Sequence, residues 1–360
     1  MYLFRLLLSI PLTDILLIVG LVLSLLLLTL LWLRRHRHPT GIDRATSEQK
    51  TTKSKRNLWG FGFYFLKLVA FAILSFIFIG GGVLIYKDYQ EINEEIAPSP
   101  SVVEIPGDLP FEVEEVTFTG GDGIKLAGWY IPPSNGATII LLHGYSSNRT
   151  SMLWHATNLI EAGYGVLMYD EHGSGESEGK YRSYGWQDAP DVGGAIEYLI
   201  ERSEADSNLI GILGCSIGGQ IALQGAAYYP EIKAVWADGA SGIMACDSPP
   251  PNNWATSIAF LSEYILDWML IQRLDIQPPQ PMIEIIGKIA PRPLMLVAGG
   301  FPHPYFGNEA RRVLHMASYA RSGADVWIIP EAYHCDGPTQ RPDEYAHRME
   351  DFFDKAFDIR

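Results

Sequence analysis

Residues 209–219 read Leu-Ile-Gly-Ile-Leu-Gly-Cys-Ser-Ile-Gly-Gly. A short apolar run of this kind is typical of a buried strand, and a helical pattern follows it. Between the two lies Gly-x-Ser-x-Gly, with Ser216 between Gly214 and Gly218. A serine on a sharp strand-to-helix turn exposes its hydroxyl, and small neighbours remove the side chains that would clash there. The stretch therefore predicts an exposed, nucleophilic Ser216 at a strand end.

Strand-like and helical segments alternate from residue 111 onward. The central strands are continuous apolar runs, as in a parallel sheet that is buried on both faces. This alternation predicts an α/β fold with a mostly parallel, eight-stranded sheet flanked by helices, whose functional groups lie at the carboxyl ends of the strands. The predicted strands are residues 113–119, 126–131, 137–142, 166–169, 209–213, 234–237, 294–298 and 326–329, and the predicted helices lie near 151–162, 189–202, 217–228, 308–321 and 342–357.

A second motif follows another predicted strand. Residues 139–149 read Ile-Ile-Leu-Leu-His-Gly-Tyr-Ser-Ser-Asn-Arg. The turn after His143 can aim the N–H of Tyr145 at an oxyanion, and the N–H of Ile217 would be the other donor. We expect His143 itself to be a structural residue of the turn.

Residues 169–179 read Tyr-Asp-Glu-His-Gly-Ser-Gly-Glu-Ser-Glu-Gly and follow the next strand. With these three motifs in order, residues 111–360 resemble the α/β-hydrolase superfamily. The third stretch looks like D-x-R/H-G-x-G-x-S of the branch that contains esterases, membrane-anchored serine hydrolases and prolyl-peptidase-like enzymes. The resemblance implies an α/β-hydrolase fold and a Ser-His-acid triad. It also implies that Asp170 and His172 fix a loop.

The general base is expected after the last strand. Residues 326–337 contain Pro-Glu-Ala-Tyr-His-Cys-Asp-Gly, which resembles P-G-x-x-H-x-x-G of the same family, so His334 is the predicted base. The competing His303 follows an earlier strand and lies between two prolines.

The acid of the triad has two candidates. The family usually places an Asp soon after the strand at 294–298, but Glu309 is the only carboxylate between that strand and Asp325. A Glu can accept the imidazole N–H equally well. Asp238, at the end of the preceding strand, is the alternative, because both candidates preserve the chain order serine, acid, histidine.

Composition excludes several classes of protein. The formal net charge is −14, and residues after Tyr86 carry 17 basic and 38 acidic residues, which argues against nucleic acid as a partner. Three cysteines do not make a disulfide scaffold. We find no metal-ligand spacing and no phosphate-binding loop, and we expect neither a metal nor another cofactor.

Two uncharged apolar runs, residues 15–33 and 68–86, are each 19 residues long. That length suffices for a transmembrane helix. The loop at residues 34–57 is strongly basic, which predicts that it is cytoplasmic and that the rest of the chain is extracytoplasmic. A sequon at Asn148, close to the predicted site, favours a prokaryotic plasma membrane over a eukaryotic lumen.

The predicted organisation therefore has four parts and one insertion. The first helix and the basic loop occupy residues 1–57, the second helix 58–86, a Glu- and Pro-rich linker 87–110, and the catalytic domain 111–360. Within the last, residues 241–290 interrupt the strand-helix rhythm and contain a helical patch around Ser262–Leu274. This insertion is either a small lid over the site or a surface excursion.

The sequence thus predicts a membrane-anchored serine hydrolase that forms an acyl-enzyme on carboxylic esters or related acyl bonds. The expected partners are a small-molecule or lipid acyl substrate and the bilayer, while protein partners are unknown. A prolyl-peptidase-like peptidase, an acyltransferase and a non-catalytic binding domain are the alternatives.

Overall fold

The computed structural model describes residues 66–76, 80–82, 86, 89–90, 92–302, 308–321 and 323–359. The chain divides into two compact units, of which the smaller is Tyr2–Glu91 and the larger comprises Ile92–Arg360. Residues 66–76 and 80–82 of the smaller unit are helical. The predicted transmembrane helix at 15–33 lies outside the described residues, and the one at 68–86 is described only in part. No helix among the described residues is long and apolar enough to cross a bilayer.

An eight-stranded sheet forms the centre of the larger unit. Its strand order is β10-β9-β8-β7-β4-β5-β3-β2, where β2 and β3 are antiparallel to their neighbours and all other pairs are parallel. Each of the eight strands was predicted from the sequence to within two residues at either end. The bounds are β2 Glu114–Thr119, β3 Lys125–Ile131, β4 Thr138–Leu142, β5 Gly165–Tyr169, β7 Ile210–Cys215, β8 Ile232–Asp238, β9 Leu294–Gly299 and β10 Asp325–Ile329, and two short strands outside the sheet are β1 Ser99–Pro100 and β6 Ser174–Gly175.

Helices cover both faces of this sheet. Several begin with clear start signals: Pro190 and Pro342 lie in first turns, and the side chains of Asn253 and Asn308 accept backbone N–H bonds as N-caps. The helices of the larger unit from residue 153 onward are α1 Leu153–Glu161, α2 Ala189–Ile200, α3 Ile217–Tyr228, α4 Trp254–Leu274, α5 Met282–Ile285, α6 Glu309–Ala317, α7 Gly337–Gln340 and α8 Pro342–Phe357.

The core lies on both faces of the sheet in two clusters of buried apolar side chains. Every residue of β4, β5 and β7 is buried, which explains why these strands are apolar throughout instead of alternating. The buried centre holds the carboxyl ends of β4 and β7 in a fixed position, and the turns that carry Tyr145 and Ser216 follow these two ends.

Two regions differ in detail from the sequence expectation. In the insertion at 241–290, the helix begins at Trp254, whereas the helical patch in the sequence was expected near Ser262–Leu274. The segment expected to be a linker packs in part on the larger unit, since Ile92 and Ile96 are buried and β1 pairs with β6. Apolar side chains and strand pairing therefore order residues that composition alone assigned to a linker.

Candidate active site

Ser216 lies at the turn between β7 and α3 with a backbone φ of 58° and ψ of −117°. This is a strained conformation for a residue other than glycine, and such strain concentrates at functional sites. A Cβ atom at Gly214 would lie 2.2 Å from the carbonyl oxygen of Gly218, and one at Gly218 would lie 2.4 Å from that of Leu142. Both positions of the turn therefore require glycine, as its motif predicted.

His334 follows β10 and reaches the serine. Its Nε2 lies 2.8 Å from the Oγ atom of Ser216, while its Nδ1 contacts the carboxylate of Glu309. An ionised carboxylate only accepts hydrogen bonds, so the Nδ1 atom carries the proton and Nε2 has the acceptor lone pair, which faces Oγ of Ser216. In this tautomer Nε2 can take a proton from the serine hydroxyl.

Glu309 is the first residue of α6 and is only 2% exposed. Its second carboxylate oxygen accepts the backbone N–H of Gly299 at 2.7 Å. Asn308 caps α6 by accepting the N–H of Arg311, which holds the start of the helix beside the carboxyl end of β9. Both oxygens of Glu309 thus have fixed partners, so the carboxylate can orient the imidazole.

Asp238, the alternative acid, ends β8 and has a different partner. Its carboxylate accepts the hydroxyl of Tyr345 at 2.9 Å, and the indole N–H of Trp236 donates to that hydroxyl at the same distance. Burial and the nearby charge of Glu309 raise the pKa of Asp238 to about 7. Of the two candidates, the structure brings Glu309 and not Asp238 into contact with His334.

The predicted oxyanion donors flank the serine. Gly144 packs against it, since a Cβ atom there would lie 3.6 Å from the Cβ of Ser216. Among the described residues, the N–H groups of Tyr145 and Ile217 donate to no other group, which leaves both available. They are therefore candidates for holding negative charge on a substrate oxygen.

His143 holds the turn that carries Tyr145. Its Nδ1 donates to the carbonyl oxygen of Gly144 at 2.8 Å, and its Nε2 accepts the N–H of Glu171 at 3.0 Å. Burial lowers the pKa of His143, which favours the neutral ring that this pattern requires. The residue is structural, as expected.

Asp170 connects the loops of the second and third motifs. Its carboxylate accepts the backbone N–H groups of Arg149 and Glu176 and also pairs with the guanidinium of Arg149. Both members of the pair are fully buried. His172 belongs to the same motif, and its Nδ1 lies 3.5 Å from a carboxylate oxygen of Asp191. These contacts fix the loops around the site. Among the described residues, neither Asp170 nor His172 forms a hydrogen bond with Ser216.

A cavity of about 670 Å³ opens in front of Ser216. Most of the exposed area of its lining is apolar. The sequence motifs did not indicate six of these residues, because positions just before and on α1, and positions on α7, carry no local signature; the six are Ser151, Met152, Trp154, His155, Pro338 and Thr339. His303 lies outside the described residues. The described lining residues are Gly144, Tyr145, Ser147, Ser151, Met152, Trp154, His155, Cys215, Ser216, His334, Cys335, Pro338 and Thr339.

Comparison with known proteins places this geometry in a family. Residues 122–269 match the model of the X-Pro dipeptidyl-peptidase (S15) family. YfhR of Salmonella typhimurium is 31% identical over 278 residues, which cover 74% of this chain and 87% of YfhR. YfhR of Escherichia coli K12 is 29% identical, with 69% of this chain and 83% of that protein covered.

Among solved structures, the Pyrococcus furiosus esterase Pf2001 is similar, with a TM-score of 0.58 and 25% identity over 72% of this chain and 98% of that chain. The α/β hydrolase GrgF from Penicillium shares the fold, with a TM-score of 0.52 and 20% identity over 68% of this chain and 99% of that one. Sheet order, nucleophile turn and sequence similarity agree: the chain belongs to the α/β-hydrolase superfamily, in the family of the bacterial YfhR proteins, and is a hydrolase of the serine-hydrolase type.

Proposed function

We propose that the protein is a serine esterase that cleaves carboxylic ester or related acyl bonds through an acyl-enzyme. The observation that carries the proposal is the continuous hydrogen-bond chain from Ser216 through His334 to Glu309 at the base of the cavity. A nucleophile, a base and an orienting acid in this order are what acyl transfer requires.

In the proposed reaction, Ser216 Oγ attacks the carbonyl carbon while its proton passes to Nε2 of His334. The carbonyl oxygen gains the negative charge, which the N–H groups of Tyr145 and Ile217 stabilise. The imidazolium then protonates the departing alkoxide, leaving an acyl-serine. Water attacks this ester with His334 as base, and the carboxylic acid leaves as Ser216 regains its proton. Glu309 stays ionised and holds the imidazole in place throughout.

The cavity supports esters of apolar acids over peptides. None of its described lining residues is Asp, Glu, Lys or Arg. An enzyme that removes dipeptides must hold a free ammonium group, which needs a carboxylate or several acceptors in the dry part of the site. An apolar acyl group has no such requirement and gains free energy from burial against side chains such as Met152 and Trp154.

The second candidate function is peptide cleavage after proline, because the matching family model describes an X-Pro dipeptidyl-peptidase. Both reactions would use the same serine and histidine, so the leaving group distinguishes them. Full-length protein in detergent is assayed with p-nitrophenyl esters of two to twelve carbons and with Xaa-Pro-p-nitroanilides. Ester hydrolysis with little amidase activity supports the proposal, and the reverse ranking contradicts it.

Ser216→Ala tests the mechanism in the same assay. We expect it to abolish turnover and labelling by a fluorophosphonate, while the exposed serine control Ser203→Ala retains both. Full activity in Ser216→Ala would refute the mechanism. If the wild type neither hydrolyses nor labels, a non-catalytic binding domain is the better description. Adding an acceptor alcohol and analysing the products separates acyl transfer from hydrolysis.

We also propose that the apolar runs at 15–33 and 68–86 anchor the protein in a prokaryotic plasma membrane, with the catalytic domain outside the cytoplasm. Their length and the basic loop at 34–57 support this topology. Reporter fusions at Arg44 and Arg360 test it. A cytoplasmic signal at Arg44 and an extracytoplasmic one at Arg360 are expected. A cytoplasmic reporter at Arg360 would overturn the topology.

A further inference from the structure

We propose that residues 92–97, together with Arg182 and Tyr184, position the oxyanion donor Tyr145. We call this set the Tyr145 support. The inference rests on the proposed function, because it assumes that the backbone N–H of Tyr145 stabilises the oxyanion. It adds positioning residues that lie outside all three sequence motifs and makes the start of the larger unit part of the catalytic machinery.

The side chain of Tyr145 is held on several sides. Its ring stacks on that of Tyr184, with centroids 4.5 Å apart and an interplanar angle of 15°. The guanidinium of Arg182 lies 4.7 Å from the ring centroid, within the range of a cation–π contact. The Tyr145 hydroxyl donates to the backbone carbonyl of Glu95, and the Tyr184 hydroxyl donates to the carboxylate of the same residue. These contacts leave the ring little freedom to move.

Arg182 joins the parts of the support. Its Nε donates to the carbonyl of Ala97 at 2.7 Å, and its backbone N–H donates to that of Ile96 at 2.8 Å. One terminal nitrogen of the same guanidinium donates to the hydroxyl of Ser146 at 3.0 Å. A single side chain therefore contacts the 92–97 segment, the Tyr145 ring and the residue that follows Tyr145.

Backbone strain lies at the same place. Ser146 has a φ of 56° and Tyr184 a φ of 55°, and neither is glycine. Such conformations persist only where the surrounding contacts enforce them. The contacts of Arg182 with Ser146 and of Tyr184 with Glu95 supply that enforcement, so the turn at Tyr145 depends on residues distant in the chain.

The 92–97 segment is itself fixed to the larger unit. Ile92 and Ile96 are 4% and 3% exposed, and just beyond them the N–H of Ser99 donates to the carbonyl of Gly173 at 2.8 Å. Burial also raises the pKa of both Tyr145 and Tyr184, which keeps the two hydroxyls neutral and able to donate. The support is thus a built part of the fold and not a loose extension.

The catalytic consequence follows from the geometry of oxyanion stabilisation. A donor must lie about 2.7–3.1 Å from the developing oxyanion, and losing one costs about 10²–10³ in kcat. Because the N–H of Tyr145 has no partner of its own among the described residues, the side chain and its neighbours set its position. Loosening the support should therefore lower kcat with little change in KM.

The test uses full-length protein in detergent and p-nitrophenyl acetate. Arg182→Met removes the contacts with Ala97, Ser146 and the Tyr145 ring, and we expect kcat to fall about tenfold or more with KM within about twofold of wild type. Arg182→Lys keeps the cation but loses the fork, so it should recover part of the rate. Tyr145→Phe removes the hydroxyl, with its bond to the backbone carbonyl of Glu95 and its contact with the Tyr184 hydroxyl, and it replaces Arg182→Met as the test if that variant does not fold.

Arg202→Met is the matched control. Its guanidinium also lies 4.7 Å over a tyrosine ring, that of Tyr130, and pairs with Glu114, but it is remote from the site. We expect unchanged kcat in this variant. If kcat in both Arg182→Met and Tyr145→Phe equals that of wild type, the proposal is wrong.

Amide hydrogen exchange separates this proposal from the proposed function. Exchange across residues 143–149 should be faster in Arg182→Met than in Arg202→Met, whether or not any ester is hydrolysed. If the wild type has no activity, the esterase proposal is contradicted, whereas the exchange comparison still tests the Tyr145 support. Equal exchange in the two variants would overturn the support.

Discussion

Nε2 of His334 lies 2.8 Å from Oγ of Ser216, although 118 residues separate them in the chain. The contact depends on neighbouring parallel strands, because β7, β8, β9 and β10 lie side by side and the loops after their carboxyl ends converge. The same convergence brings Glu309 to the imidazole. Each of the three side chains follows a different strand of the sheet, so each can be substituted separately.

The first prediction concerns the acid. Glu309→Gln should lower kcat by about 10²–10⁴-fold, because the amide cannot stabilise the imidazolium and can favour the wrong tautomer. Asp238→Asn, at an equally buried carboxylate that contacts Tyr345 instead, should lower kcat less than tenfold by the same reasoning. Steady-state kinetics with p-nitrophenyl acetate at neutral pH measures both. The opposite ranking would return Asp238 as the acid.

The second prediction concerns pH and stability. The pKa of Asp238 is about 7 in the folded protein, against 3.8 for a free side chain. Between these values the native state binds more protons at this site than the unfolded state, so the free energy of unfolding falls as pH rises. Above about pH 7 the site is ionised in both states and the loss is complete.

Asp238→Asn removes this titration while keeping an acceptor for the Tyr345 hydroxyl. Its stability relative to wild type should therefore increase from about pH 4 to pH 7 and then level off. Denaturant unfolding at several pH values measures this difference. Asp325→Asn, at an exposed carboxylate, is the control, and the pH-dependent difference for Asp238→Asn should exceed the one for this control. A flat difference for Asp238→Asn would contradict the shifted pKa.

The third prediction concerns Gly239, which packs against the imidazole. Its φ is 68°, and an added Cβ would lie 2.7 Å from Cε1 of His334. Gly239→Ala should displace the ring and lower kcat by about 10²-fold. Gly123→Ala is matched in backbone strain, with a φ of 76°, but has open space around the new methyl group. Gly123→Ala should lose about as much stability as Gly239→Ala, roughly 1–3 kcal/mol, but it should keep its activity. Equal kcat in the two variants would exclude a steric effect on His334.

The fourth prediction concerns the buried pair of Arg149 and Asp170. Arg149 is 1% exposed and also lies over the Trp129 ring at 4.7 Å. Arg149→Met leaves Asp170 buried without its cation, which should cost about 3–5 kcal/mol of stability. Arg348 makes comparable contacts, over Trp327 at 4.6 Å and with Glu344, but its side chain is 48% exposed. Arg348→Met should cost less than about 1 kcal/mol. Thermal or urea unfolding measures the stability of the two variants. Similar losses of stability would show that burial of the arginine does not set the cost of removing it.

Several features could be read directly from local sequence. The buried strands are continuous apolar runs, and the turn at Ser216 needs Gly214 and Gly218 because the backbone approaches too closely for any side chain. His334 was found because it follows the last strand. These features depend on a few consecutive residues, and so their signal is present in the chain itself.

Other features depend on contacts between distant segments. Both Glu309 and Asp238 satisfied the chain order, and only the packing of α6 against the end of β9 brings Glu309 to His334 while Tyr345 takes Asp238. The Tyr145 support likewise depends on a contact between distant segments. Arg182 bonds to residues 92–97, and composition alone assigned those residues to a linker.

The sequence by itself determined the order of the motifs along the chain and the positions of the serine and the histidine, because backbone sterics and hydrophobic periodicity act over a few residues. The choice of acid, the apolar lining of the cavity and the residues behind the oxyanion donor were decided only by tertiary structure. Their positions depend on how helices and loops pack on the sheet. Contacts between residues far apart in the chain produce no periodic pattern in the sequence, so the sequence did not reveal them.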